Sequence, residues 1–157
     1  MGNHEDVFLQ GFYPGESKLV QQFFKTTYAS FKHFDIIERY KDSYRIEDYE
    51  IKHTINNTYF YPDSDISDLD LKYNTIIGHS HYTFHRELPN KKTLTNTGSV
   101  GQNRNNLTII NFVILHTENN LVELKSISYD PEPLILEMKS RRFPEECVNY
   151  YKSKLNK

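Results

Sequence analysis

The sequence predicts a mixed α/β (α+β) domain with its strands gathered in the middle of the chain. Three observations predict it. Leu19, Val20, Phe23, Phe24, Tyr28 and Phe31 recur at steps of three and four, the mark of an amphipathic helix over 16–34. Asn74-Thr75-Ile76-Ile77 is a short, β-branched run that stops at Gly78, as a buried strand does. The end of the chain returns to helix, over 134–141 and again from Pro144.

The elements follow in order. Pro14-Gly15 is a turn signal before the first helix, which is the first structured segment expected. Tyr44 and Ile46, then Tyr49 and Ile51, alternate with polar residues and predict two short strands with a turn near Glu47-Asp48. The stretch 61–73 is acidic and contains Pro62, so it reads as a loop with room for a short helix. Strand-like segments follow at 91–96, 107–116 and 121–129, separated by polar, Asn-rich turns. Pro144 suits a first helical position, and Glu145 and Glu146 suit the positive end of the helix dipole.

The 157 residues fit a single domain, 1–157. Lys and Arg number 19 and Asp and Glu 21, a net charge of −2, which argues against a protein that grips a nucleic-acid polymer by counterion release. One cysteine, Cys147, excludes an internal disulfide framework and a Cys-rich zinc site. No apolar run approaches the ~18 residues of a membrane span, and the first ten residues lack the basic and apolar regions of a signal peptide. A cytoplasmic protein with no membrane partner is the expectation.

Seven histidines carry most of the chemical potential. His33 and His116 read as structural. His79 and His81 follow the buried strand in Gly-His-Ser-His, and if the backbone stays extended both rings point to one face while Ser80 points away. That spacing fits a metal-binding pair and a polar loop equally well. His85 is a possible third member, although Tyr82 and Phe84 suggest another strand there. His53 also ends a strand, and 96–101, Asn-Thr-Gly-Ser-Val-Gly, is a small loop after another. Strand ends gathered at one sheet edge are where α/β proteins place their sites.

Taken in order, Gly2-Asn3-His4-Glu5, the strand-end His53, Gly78-His79-Ser80-His81 and the block from Asn96 through Gly98, Ser99 and Gly101 to Arg104 resemble the motifs of the calcineurin-like metallophosphoesterases, in their small bacterial phosphodiesterase branch. Tyr129-Asp130 and a terminal helix after Pro144 are similar too. The resemblance implies a four-layer αββα sandwich, here a partial one, that hydrolyses phosphate esters with two divalent ions (Mn2+, Fe2+, Zn2+ or Ni2+). It implies that Asn3, His53 and His79 are ligands of the second metal and His81 a ligand of the first. His4 is implied to stabilise the transition state or protonate the leaving oxygen, with Asn96 and Ser99 near the substrate.

The chain departs from that pattern in one large way. The family's Asp-x-His and Gly-Asp-x-x-Asp motifs, which supply the first metal's other ligands and the bridging carboxylate, have no counterpart here. Thr54 and Thr97 stand where the family has Gly and Pro. Asp63, Asp65, Asp68 and Asp70 lie in the acidic loop and read as a solvated face. The expectation is therefore an N-terminally truncated phosphoesterase domain that holds one metal ion or none and is impaired as an isolated chain. Its partners would be a small phosphate ester or a phosphoprotein, with a separately encoded N-terminal fragment as a further one. The alternatives are a non-catalytic scaffold on the same fold and a mononuclear zinc hydrolase using His53, His79 and His81.

Overall fold

A computed structural model describes residues 1–155 and divides them into two compact units, 1–41 with 130–155, and 42–129. The first unit is helical: α1 (Asn3–Gln10), α2 (Lys18–Tyr28), α3 (Phe34–Ile37), α4 (Glu132–Ser140) and α5 (Glu145–Lys152). Helix α1 precedes the segment expected to be the first structured one. Glu5 and Asp6 sit in its first turn, and Gly11 closes it at φ 77° with its N–H on the carbonyls of Val7 and Phe8. Helix α2 is shorter than the predicted 16–34 because the chain turns after Tyr28. Phe31 leaves the helix to meet the edges of Phe8 and Phe34, with ring centroids 4.8 and 5.0 Å apart. His33 consequently caps the start of α3 rather than the end of α2. Ile135, Met138, Cys147 and Val148 form the core of this unit, covered by Leu19, Phe23 and Phe143. Pro144 takes the N-cap of α5, one position before the predicted one, with Glu145 and Glu146 in the first turn.

The second unit carries all the strands among the described residues. Five form one mixed sheet, β1 (Ser43–Ile46), β2 (Tyr49–Lys52), β3 (Asn74–Ile77), β4 (Thr83–Glu87) and β5 (Thr93–Thr97), in the order β1-β2-β3-β5-β4. Strands β6 (Ile109–His116) and β7 (Leu121–Ser128) pair as an antiparallel hairpin. The predicted turn at Glu47-Asp48 separates β1 and β2, with Glu47 at φ 47°. The stretch 61–73 is loop without a helix. Its acidic residues face outward while Ile66 and Leu71 turn into a core with Ile77, Phe84, Leu88 and Leu94. Each such side chain removed from water stabilises the unit by roughly 1.5–3 kcal/mol.

The direction of the strands places the site. β2, β3 and β5 are mutually parallel neighbours, β2 with β3 and β3 with β5. Their carboxyl ends therefore lie at one edge of the sheet. His53 follows β2, Gly78 follows β3, and Gly98 follows β5. Among the described residues no helix is long and apolar enough to cross a membrane.

Candidate active site

Two imidazoles meet at that edge. His53 Nε2 and His79 Nδ1 are 2.9 Å apart, with their rings edge to face. Two nitrogens bound ~2.1 Å from one divalent ion at a right angle lie ~3 Å apart. The pair thus has the spacing of two adjacent ligands. One ring donates its N–H to the other ring's nitrogen across this gap, and an ion held by both rings would take the place of that proton.

The loop that carries His79 is not extended. Ser80 N–H donates to the Gly78 carbonyl at 2.8 Å, closing a γ-turn with His79 at φ 68°; His81 follows at φ 65°. The condition under which both rings would share one strand face, an extended Gly-His-Ser-His, is therefore not met. Left-handed non-glycine residues cost roughly 1–3 kcal/mol each and gather where a site needs a particular ring direction. The alternation itself survives: Ser80 is buried, and His79 and His81 are half-buried. His81 Nδ1 donates to the Gln102 carbonyl at 2.7 Å. A carbonyl only accepts, so Nδ1 carries a proton, and whenever the ring is neutral its lone pair sits on Nε2. An outer hydrogen bond of this kind orients metal-ligating histidines.

Asn96 holds this loop from beneath. It is 0% exposed, and its Nδ2 donates to Gly78 O at 2.7 Å and Ser80 Oγ at 2.9 Å. Its Oδ1 accepts from Gly98 N–H at 3.0 Å. Through these bonds the enclosed side chain holds the histidine loop in place. Ser99 is half-buried, and its Oγ accepts from the N–H groups of Gly101 and Gln102 at 3.3 and 2.9 Å. Gly98, at φ 74°, lies against Asn111, where an added Cβ would meet the Asn111 Cβ at 2.6 Å. His85 lies on β4, where its Nδ1 meets the cross-strand Thr95 hydroxyl at 2.8 Å. His116 stands beside Glu118 and Glu123 at 3.5 and 3.4 Å, a structural arrangement. Asn3 and His4 belong to the helical unit, exposed on the first turn of α1.

Beside the pair stands Tyr59, which the sequence reading does not single out, and near Tyr59 lies Arg104, which that reading holds only as the end of a motif block. The Tyr59 ring lies 4.0 Å from the His79 ring, and the Arg104 guanidinium carbon is 5.6 Å from the Tyr59 centroid. The available signal was Asn56-Asn57. Both have positive φ, 51° and 55°, and Thr58 N–H donates to Ile55 O at 3.0 Å. This is a two-residue type I′ turn, for which adjacent asparagines are suited. It folds the chain back so that Tyr59 returns beside His79 in the loop after β3.

The crystal structure of a metallophosphoesterase from Sphaerobacter thermophilus superposes on this chain with a TM-score of 0.78, covering 98% of this chain and 75% of that one at 14% identity. The fold is that of a metallophosphoesterase. The crystal structure of a hypothetical protein from Pyrococcus horikoshii is similar as well, with a TM-score of 0.80, 12% identity, and 96% and 70% of the two chains covered. No protein-family model and no curated protein matches the sequence.

A metallophosphoesterase fold suggests divalent metal ions, and the donors present test that suggestion. Among the described residues no group of three or more His, Cys, Asp or Glu side chains gathers to hold an ion. His53 and His79 suit one edge of one ion. With no carboxylate in such a group to supply negative charge, two cations ~4 Å apart would repel with little to offset them. The donor set suits one ion and does not fit a metal pair.

Proposed function

We propose that this chain carries the histidine half of a metal-dependent phosphoesterase site, acting on a small phosphate ester. The observation that carries the reading is the 2.9 Å approach of His53 Nε2 and His79 Nδ1 at the ends of two parallel strands, in a chain with a metallophosphoesterase fold. His53 and His79 are the proposed ligands of one divalent ion, which would polarise a phosphoryl oxygen. His81 is proposed as a further donor. Asn3 is proposed as an added ligand. His4 is proposed to give a proton to the leaving oxygen, for which an imidazole suits neutral pH. No step through a metal pair is derived, because the donors do not fit one. Phosphoproteins are a second substrate class, and a separately encoded fragment bearing the two carboxylate motifs is the proposed partner.

Elemental analysis and hydrolysis of bis(p-nitrophenyl) phosphate with added Mn2+ test this. One ion or less per chain and very slow turnover are expected. Fast, metal-dependent turnover that vanishes in His79→Ala would mean that another acid completes the site. Failure to take up any ion even when the two carboxylate motifs are supplied favours the scaffold reading.

A further inference from the structure

Tyr59 is 42% exposed, yet its ring is fixed. The type I′ turn at Asn56-Asn57 sets its position, and Thr54 Oγ1 donates to Thr58 O at 2.6 Å to brace the turn. Its ring overlaps the His79 ring with a tilt of 33°. Tyr61 runs nearly parallel to it, at 14° with centroids 6.4 Å apart, and the edge of Tyr82 meets Tyr61 at 5.5 Å. These rings form an aromatic wall that starts at the proposed metal ligand. None of the three belongs to the core cluster of this unit. Arg104 adds a cation beside Tyr59, and no ion pair among the described residues includes it. A guanidinium fork matches phosphate oxygens, and an aromatic face matches a planar ring.

We propose that Tyr59 and Arg104 form a subsite for the organic half of the substrate, and that the group they take is the planar base of a nucleoside phosphate. This rests on the phosphoesterase reading of His53 and His79. The stacking face is sequence-tolerant, because every base presents a π-face. Arg104 holds phosphate charge, so the two residues recognise different parts of one ligand. Neither enters a bond-making step. They set which ester is held next to His79.

Binding is read by NMR, following the Tyr59 ring in 13C-tyrosine-labelled protein, with three probes: adenosine 5′-monophosphate, ribose 5-phosphate and inorganic phosphate. Adenosine monophosphate should bind at least ~5-fold more tightly than ribose 5-phosphate, the lower end of what one aromatic–base stack supplies. Tyr59→Leu should erase that preference, and Tyr59→Phe should keep it, which separates stacking from a folding defect. Arg104→Gln should weaken all three ligands by a similar factor. Equal affinity for adenosine monophosphate and ribose 5-phosphate, or a preference that survives Tyr59→Leu, overturns the subsite alone. Binding of none of the three, phosphate included, overturns the phosphoesterase reading and the subsite with it.

Discussion

The buried amide of Asn96 donates to the carbonyl oxygen of Gly78 at 2.7 Å, and so ties β5 to the loop that carries His79 and His81. The same nitrogen reaches Ser80 Oγ, and Oδ1 takes the Gly98 N–H. One side chain thereby organises both loops at the carboxyl edge of the sheet. Asn96→Asp puts an oxygen where the NH2 faced the Gly78 carbonyl and buries a charge at a site with no exposure. The cost should be about 3 kcal/mol or more. For a chain of this size that lowers Tm by roughly 6–12 °C. Asn96→Leu should also destabilise, because it leaves buried polar groups without their bonds. Thermal melts check both, and melts unchanged within 2–3 °C would remove Asn96 from this role.

Gly98 and Gly101 stand three residues apart in one loop and should respond very differently to alanine. Gly98 has φ 74°, and its Cβ would collide with Asn111 at 2.6 Å. Asn111 cannot retreat. It is buried, its Nδ2 donates to Ser126 Oγ at 2.7 Å, its backbone N–H donates to Ser99 O at 2.9 Å, and its Oδ1 accepts from Asn103. Gly98→Ala should cost about 2–5 kcal/mol, combining a left-handed residue and overpacking. At Gly101 a Cβ meets nothing within 4 Å and φ is not positive, so Gly101→Ala should stay within about 0.5 kcal/mol. Urea denaturation of the two variants gives the contrast, and equal effects would show that the loop is not packed as described.

Much of this arrangement is legible in the residues. Alternation exposes β1 and β2, and β-branched runs expose β3, because a sheet imposes period two or a short apolar block on the chain. The placement of His53 and His79 at one edge follows from the order of motifs. What the residues conceal is backbone direction. His79 and His81 look like two same-face residues of an extended strand, but both are left-handed. A γ-turn has no composition signature when a histidine occupies its centre. Helix α1 is hidden for another reason: Gly2-Asn3-His4-Glu5 resembles a functional motif, and Gly11, its C-terminal cap, was the overlooked stop signal. Tyr59 comes near His79 through a turn at Asn56-Asn57, a relation visible only once the turn type is known.

Tyr49 gives the fold a pH dependence at the alkaline end. Its hydroxyl donates to the Asn120 carbonyl at 2.8 Å, and burial, with Asp48 next in the chain, pushes its pKa above the usual 10.0. Burial raises Tyr129 in the same direction. The folded state therefore holds these protons more tightly than the unfolded chain does. That stability is complete below pH 10 and is lost as pH rises from the unfolded value through the folded one. Tyr49→Phe should cost about 1 kcal/mol at pH 8 from the lost hydrogen bond, and its stability should fall less steeply above pH 10. Urea midpoints between pH 8 and 11 measure both effects. A variant curve parallel to that of the unmodified protein would contradict the assignment to Tyr49.

The histidines should separate by role when metal uptake is measured apart from turnover. His53 and His79 converge at 2.9 Å, so removing either takes away one of the two converging nitrogens. Titration calorimetry with Zn2+ or Mn2+ should show His79→Ala losing affinity by more than the ~10–100-fold typical of losing a ligand's outer hydrogen-bond partner. His4 is exposed on the first turn of α1, and its proposed work is on the leaving group. His4→Ala should therefore keep metal affinity within about twofold. Supplying a segment that bears the Asp-x-His and Gly-Asp-x-x-Asp motifs should raise metal content and turnover together, because carboxylates provide the negative charge that imidazoles lack. Against that restored background His4→Ala should lower turnover alone, while His79→Ala should lower both. If His4→Ala empties the metal site, its assignment to the leaving group is wrong. If the added segment stabilises the chain without hydrolysis, the scaffold reading replaces the enzymatic one.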